Sequence, residues 1–110
     1  MTYTELPVLP PLRLEPIHPD VSTPVAIAAL LADPVRAGIM ALLRDGPRCV
    51  CELAAALEER QNNISNHLAR LRHAGLVQAT RPMGDARRAY YERDEAACAA
   101  ALSDLATLLR

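Results

Sequence analysis

The strongest constraint on the fold is a pair of apolar stripes, separated by a three-residue turn and closed by a glycine. From about Cys49 to Leu57, Val50, Leu53, Ala54 and Leu57 recur at helical spacing. Glu58-Glu59-Arg60 make the turn. Ile64, Leu68 and Leu71 are then the spine of a second, more polar helix, from about Gln61 to Ala74. Gly75 stands where a helix is commonly closed by a left-handed residue. Two helices joined in this way have the layout of a helix-turn-helix.

The surrounding chain is consistent with a small helical domain. A chain of 110 residues buries only part of its surface when alone, so oligomerisation would help it. With no Phe or Trp and three Tyr, the core must be Leu, Ala, Val and Ile, which suits packed helices. Residues 1–20 hold five of the nine prolines and lack helical periodicity, so they read as an extended arm, with 21–110 as the winged domain. His18 and Asp20, near the end of the arm, could donate to a metal or simply be solvated. A helix starts at about Ser22 and carries Val25, Ala28, Ala29 and Leu31. Asp33-Pro34 then opens another, as an N-cap acid followed by proline at the first helical position. Its stripe is Val35, Ile39, Leu42 and Leu43, and it stops at Asp45-Gly46-Pro47.

After Gly75, Leu76 to Arg81 and Arg87 to Glu92 read as two short strands around Pro82-Met83-Gly84-Asp85. This hairpin is a wing, tipped with Arg81, Arg87 and Arg88. From Asp94 a last helix carries Cys98, Ala101, Leu102, Leu105, Leu108 and Leu109 on one face, and so much leucine suggests packing against a second subunit. The predicted fold is mainly α with a small β-hairpin, in the order α-α-α-α-β-β-α: a winged helix-turn-helix homodimer.

The net charge of -1 conceals an uneven distribution. From Arg60 to Arg93 there are seven Arg against Asp85 and Glu92, a balance of +5, while the other 76 residues carry five Arg and eleven acids, a balance of -6. A basic third of this kind is the electrostatic footprint of a DNA-facing surface, although a solvated charged face has the same composition. The outward positions of the second helix are Gln61, Asn62, Asn63, Ser65, Asn66, Arg70 and Arg72. Asn and Gln can pair bidentately with adenine, Ser can bond base or phosphate, and Arg can reach guanine or phosphate. Gln61, Asn63, Ser65 and Asn66 are the expected base readers, and Arg70, Arg72, Arg87 and Arg88 the expected phosphate contacts. His67 either contacts a phosphate or packs.

Cys49-Val50-Cys51 is the other unusual feature. If both cysteines were fully helical, they would diverge by about 200°. They flank the apolar stripe rather than lie on it. A single thiophilic ion clamped by both sulfurs would then require a frayed first turn, so ligation would distort the helix. A helix start also favours thiolate. C-x-C is not the spacing of a structural zinc site, and a redox dithiol or inert residues are the other readings. Cys98 sits on the apolar stripe of the last helix, as a packing residue or a third sulfur ligand. Three cysteines without an export signal do not read as a disulfide framework.

No Gly-rich phosphate loop, H-E-x-x-H or G-x-S-x-G occurs, so the chain does not read as an enzyme. No apolar run approaches the roughly 18–20 residues of a membrane span, and the N-terminus lacks the order of a signal peptide. The expectation is a cytoplasmic protein with no membrane partner.

These residues resemble the arsenic-repressor (ArsR/SmtB) family of bacterial metal-responsive winged-helix regulators. Leu31-Ala32-Asp33-Pro34-Val35-Arg36 looks like the family's helix-opening phrase, and Cys49-Val50-Cys51-Glu52-Leu53 like its metal box. Ile64 to Arg72, with Gly75-Leu76-Val77, is similar to the recognition-helix signature, and Arg88-Ala89-Tyr90-Tyr91 to the second wing strand. The resemblance implies a homodimer, joined by its first and last helices, that represses an arsenical resistance operon by binding double-stranded operator DNA. It implies no permanent cofactor. The implied inducer is As(III) or Sb(III) on Cys49 and Cys51, with Cys98 of either subunit as a candidate third ligand. Ala54 stands where many arsenic sensors carry a third Cys. Cd(II) and Pb(II) sensors draw cysteines from an N-terminal arm, which here has only His18. The zinc sensors' Asp/His site on the last helix has no match.

Overall fold

The computed structural model describes residues 20–81 and 88–110. The arm up to residue 19 with His18, the Pro82-Met83-Gly84-Asp85 link and Arg87 lie outside the described residues.

Among the described residues, five α-helices follow the expected order. Helix α1 spans Ser22–Leu31 and α2 spans Pro34–Leu42. Asp33 caps α2, its Oδ1 accepting from the N–H groups of Val35 at 2.8 Å and Arg36 at 3.2 Å. Pro34 fits the first turn because no intrahelical partner awaits its missing N–H. A 3₁₀ turn over Leu43–Asp45 ends at Gly46, whose φ of 135° needs a residue without Cβ. Helix α3 spans Val50–Leu57, α4 spans Gln61–His73 and α5 spans Glu95–Leu109. Gly75, with φ 82°, terminates α4 as expected. The Asp94 carboxylate caps α5 by accepting from the Ala97 N–H at 2.9 Å.

The sheet departs from the expected hairpin, because among the described residues it has three strands rather than two. Strand β1 is Arg48–Cys49, β2 is Val77–Thr80 and β3 is Tyr90–Arg93, in the antiparallel order β1-β3-β2. β1 pairs Arg48 with Tyr91 and Cys49 with Tyr90. Two residues carry no alternation to read; only their partners in the wing make them a strand. The third helix therefore begins one residue later than expected, with Cys49 outside it as N-cap.

Ile39, Leu43, Leu53, Ile64, Leu68 and Leu71 are the fully buried centre, an aliphatic core shared by α2, α3 and α4. The leucine stripe of α5 divides: Ala101 is buried against this core and Cys98 is half-buried, whereas Leu102 is 68% exposed and Leu109 82% exposed. Helix α1 buries no residue fully within the chain, and Val25 is 52% exposed. No single helix among the described residues is long and apolar enough to cross a membrane.

Candidate metal centre and nucleic-acid interface

The two sulfurs of the C-x-C motif meet at the mouth of α3. Cys49 is extended (φ -82°, ψ 164°), and Cys51 lies in the first helical turn. Their Cα atoms are 5.3 Å apart, and the sulfurs are joined as a disulfide. The expected divergence of about 200° presumed two helical residues, and this premise does not hold. With Cys49 in the strand, both sulfurs approach one point while α3 stays regular. Cys49 is also buried rather than beside the core, with 2% of its surface exposed.

The Cys49 sulfur has a second task. Sγ accepts from the Glu52 N–H at 3.3 Å, and the Cys49 N–H donates to Glu52 Oε1 at 3.2 Å. This is a capping box with sulfur in the place of a hydroxyl, and it meets two N–H groups that the helix start leaves unpaired. Arg48, one residue earlier, reaches Glu52 Oε2 at 3.6 Å and donates to the Leu42 carbonyl at 3.0 Å. From the wing, Arg88 Nη1 lies 3.9 Å from Cys51 Sγ.

Reduced, such a pair suits a soft, thiophilic ion. Among the described residues, no three His, Cys, Asp or Glu side chains gather into a cluster that could hold a metal. Cys98 faces elsewhere in the protomer, its thiol 3.7 Å from the Leu76 carbonyl.

On α4, Gln61, Asn62, Ser65, Asn66, Arg70 and Arg72 are exposed, and Arg81 and Arg88 are exposed on the wing side. One expected member of this surface is placed differently, and His67 takes the packed one of its two readings. Asn63 is half-buried, and its amide donates to Glu59 Oε2 at 2.9 Å across the turn. His67 turns inward, its side chain 16% exposed, toward the start of α2. Helical spacing sets the angle of a side chain but not its partner, and here Glu59 and α2 supply partners.

His67 Nδ1 lies 3.1 Å from Arg36 Nη1, and His67 Nε2 lies 4.0 Å from Asp33 Oδ1. Arg36 is the one buried charged residue among those described, and its Nε donates to the Leu30 carbonyl of α1. Burial pushes the Asp33 carboxyl up, but the N–H groups of Arg36 and Val35, with His67 and the Arg36 guanidinium, outweigh it and hold the group below the ordinary carboxylate range. Only the Asp33-Pro34 phrase signalled this cluster in the sequence, and it spoke for a helix cap alone.

Residues 33–79 match the family model described as "Bacterial regulatory protein, arsR family". A solved structure described as a possible transcriptional regulator for arsenical resistance is 32% identical, with a TM-score of 0.62, over 76% of this chain and 80% of that one. The chain belongs to the ArsR family. Its fold is the winged helix-turn-helix. A homodimeric winged helix-turn-helix DNA-binding domain from Mycobacterium bovis has a TM-score of 0.61 and 28% identity, over 79% of this chain and 80% of that domain. The arsenical resistance operon repressor of Escherichia coli K12 is 47% identical over 55 residues, covering 49% of this chain. The chain thus spans about half the length (47%) of that curated relative.

Proposed function

We propose that this ArsR-family chain is a transcriptional repressor that binds operator DNA as a homodimer and is released when As(III) or Sb(III) binds Cys49 and Cys51. The observation that carries the reading is the meeting of the two sulfurs at the N-terminus of α3, the helix that supports α4. Gln61, Asn62, Ser65 and Asn66, toward the N-terminal end of α4, are the base readers, and Arg70, Arg72 and Arg88 face phosphates. The dimer forms along α1 and α5, whose exposed Val25, Leu102, Leu108 and Leu109 need cover.

Release does not require α3 to unwind. An ion on the sulfurs engages the lone pairs of Cys49 that receive the Glu52 N–H, and it displaces the Arg88 guanidinium from Cys51. The first change loosens the start of α3. The second moves a DNA-facing arginine, and β1 carries motion of Cys49 directly to Tyr90 in the wing. A coupling of about 1–3 kcal/mol is typical of allosteric release. A third ligand comes from water, an outside thiol or Cys98 of either subunit. Cd(II) or Pb(II) on the same sulfurs is the alternative inducer.

The disulfide favours a second reading, a thiol-redox regulator. Hydrogen peroxide would take two electrons and two protons from the thiols, forming the S–S bond and two waters. A gel-shift on the promoter region upstream of the chain's own gene distinguishes the readings. Release of the reduced protein by arsenite, lost in Cys49→Ser and Cys51→Ser, supports the proposal. Release by peroxide without any ion supports the redox reading, and no complex under any condition contradicts both.

A further inference from the structure

We propose that His67 is a positioning residue that fixes the roll of α4 on the domain, through a polar relay running from the end of α1 through the start of α2. The inference rests on the DNA-reading role proposed for α4 and deepens it.

The buried face of α4 is Ile64, Leu68 and Leu71, all aliphatic. Close packing of these three side chains sets the approximate roll of α4, but apolar burial has no preferred direction and defines the angle less sharply than a hydrogen bond does. Base readers cannot tolerate rotation about the helix axis, because hydrogen bonds to base edges weaken steeply outside a narrow range of distance and angle. A directional contact narrows the angle further. Among the described residues of α4, His67 makes a polar contact with the α2 end of the domain, whereas Asn63 bonds within the turn.

The chemistry fixes the ring at Nδ1 and leaves Nε2 facing a carboxylate 4.0 Å away. A guanidinium has no acceptor, so a hydrogen bond between Arg36 Nη1 and His67 Nδ1 requires Nδ1 to accept. The ring proton of neutral His67 is then on Nε2, the nitrogen that faces Asp33 Oδ1. Asp33 is itself held by the N–H groups of Val35 and Arg36, and Arg36 by the Leu30 carbonyl. One imidazole thus ties the middle of α4 to the cap of α2 and the last turn of α1. Loss of the acceptor leaves a buried guanidinium with one N–H unmet, and α4 must shift or admit water to satisfy it.

The test compares three substitutions in the full-length reduced chain. In His67→Asn, Oδ1 stands close to the place of Nδ1 and can accept from Arg36. In His67→Gln the amide reaches the place of Nε2 and misses it; His67→Ala reaches neither. Anisotropy with a labelled duplex of the chain's own promoter region gives the affinity, and thermal melting gives the stability. Asn should stay within about threefold of wild type, while Gln and Ala lose at least about tenfold, the scale of one hydrogen bond to a charged group. Gln equal to Asn, or affinities that merely follow melting temperature, would overturn the assignment. The ¹⁵N spectrum of the free wild-type protein supplies a readout independent of DNA: Nε2 protonated and Nδ1 bare is expected, and a protonated Nδ1 contradicts the relay. If wild type binds no duplex, the DNA-reading role fails and this spectrum still decides the relay.

Discussion

Cys49 and Glu52 cap each other: the Glu52 N–H donates to Cys49 Sγ at 3.3 Å, and the Cys49 N–H donates to Glu52 Oε1 at 3.2 Å. Ion capture and the stability of α3 therefore share one sulfur. Glu52→Ala removes half of the box and should lower the unfolding free energy by about 1 kcal/mol, with Glu52→Gln retaining most of it. Urea denaturation of the reduced protein measures both. Serine is a strong N-cap, so Cys49→Ser should melt near the reduced wild type, which makes it a clean deletion of the ion ligand.

The start of α2 should be acid-sensitive. The Asp33 pKa is lowered in the folded state, so its stabilisation is complete above the unfolded value of 3.8 and is lost as pH falls through the lower folded value. Melting temperature measured from pH 6 down to about pH 2 should therefore fall less steeply for Asp33→Asn than for wild type. Parallel curves would show that the carboxylate contributes nothing as an ion.

Much of this arrangement is legible in the sequence wherever the signal is local. Asp33-Pro34 places the start of α2, Gly75 the end of α4, and the spacing of Ile64, Leu68 and Leu71 the buried face of α4. What sequence reading missed depends on partners distant in the chain. Arg48–Cys49 become a strand only beside Tyr90 and Tyr91, and that pairing takes Cys49 out of the helix and brings the sulfurs together. Cysteine is not a customary cap, so its capping box with Glu52 carried no signal. Asn63 lies on the helix where polar surface is expected, but Glu59 holds it across the turn, and of the two readings of His67 only its partner Arg36 decides for packing.

The turn between α3 and α4 carries a conformational cost that substitution can relieve. Glu58 has φ 55° and ψ 43°, a left-handed conformation that costs a Cβ-bearing residue roughly 1 kcal/mol. Glu58→Asn should gain a few tenths to about 1 kcal/mol in urea denaturation, since Asn tolerates this region. Gly75→Ala, at φ 82°, should lose about 1 kcal/mol although no atom lies within 4 Å of the added Cβ. Equal and opposite shifts at these two positions would place the effect in the backbone rather than in packing.

The uncovered leucines of α5 give a test of assembly. Leu102 is 68% exposed, and a carboxylate there would be buried without a partner in the proposed dimer. Leu102→Glu should sediment as a monomer, melt close to wild type at low concentration, and bind promoter DNA at least about tenfold more weakly. An unchanged sedimentation profile would place the interface elsewhere.

The most direct test of the central claim is arsenic K-edge X-ray absorption on the reduced protein loaded with one equivalent of arsenite. Sulfur scatterers from both Cys49 and Cys51 should surround the arsenic, and a Cys49→Ser/Cys51→Ser double variant should leave it in its oxygen environment. A sulfur shell that survives in the double variant would contradict the account.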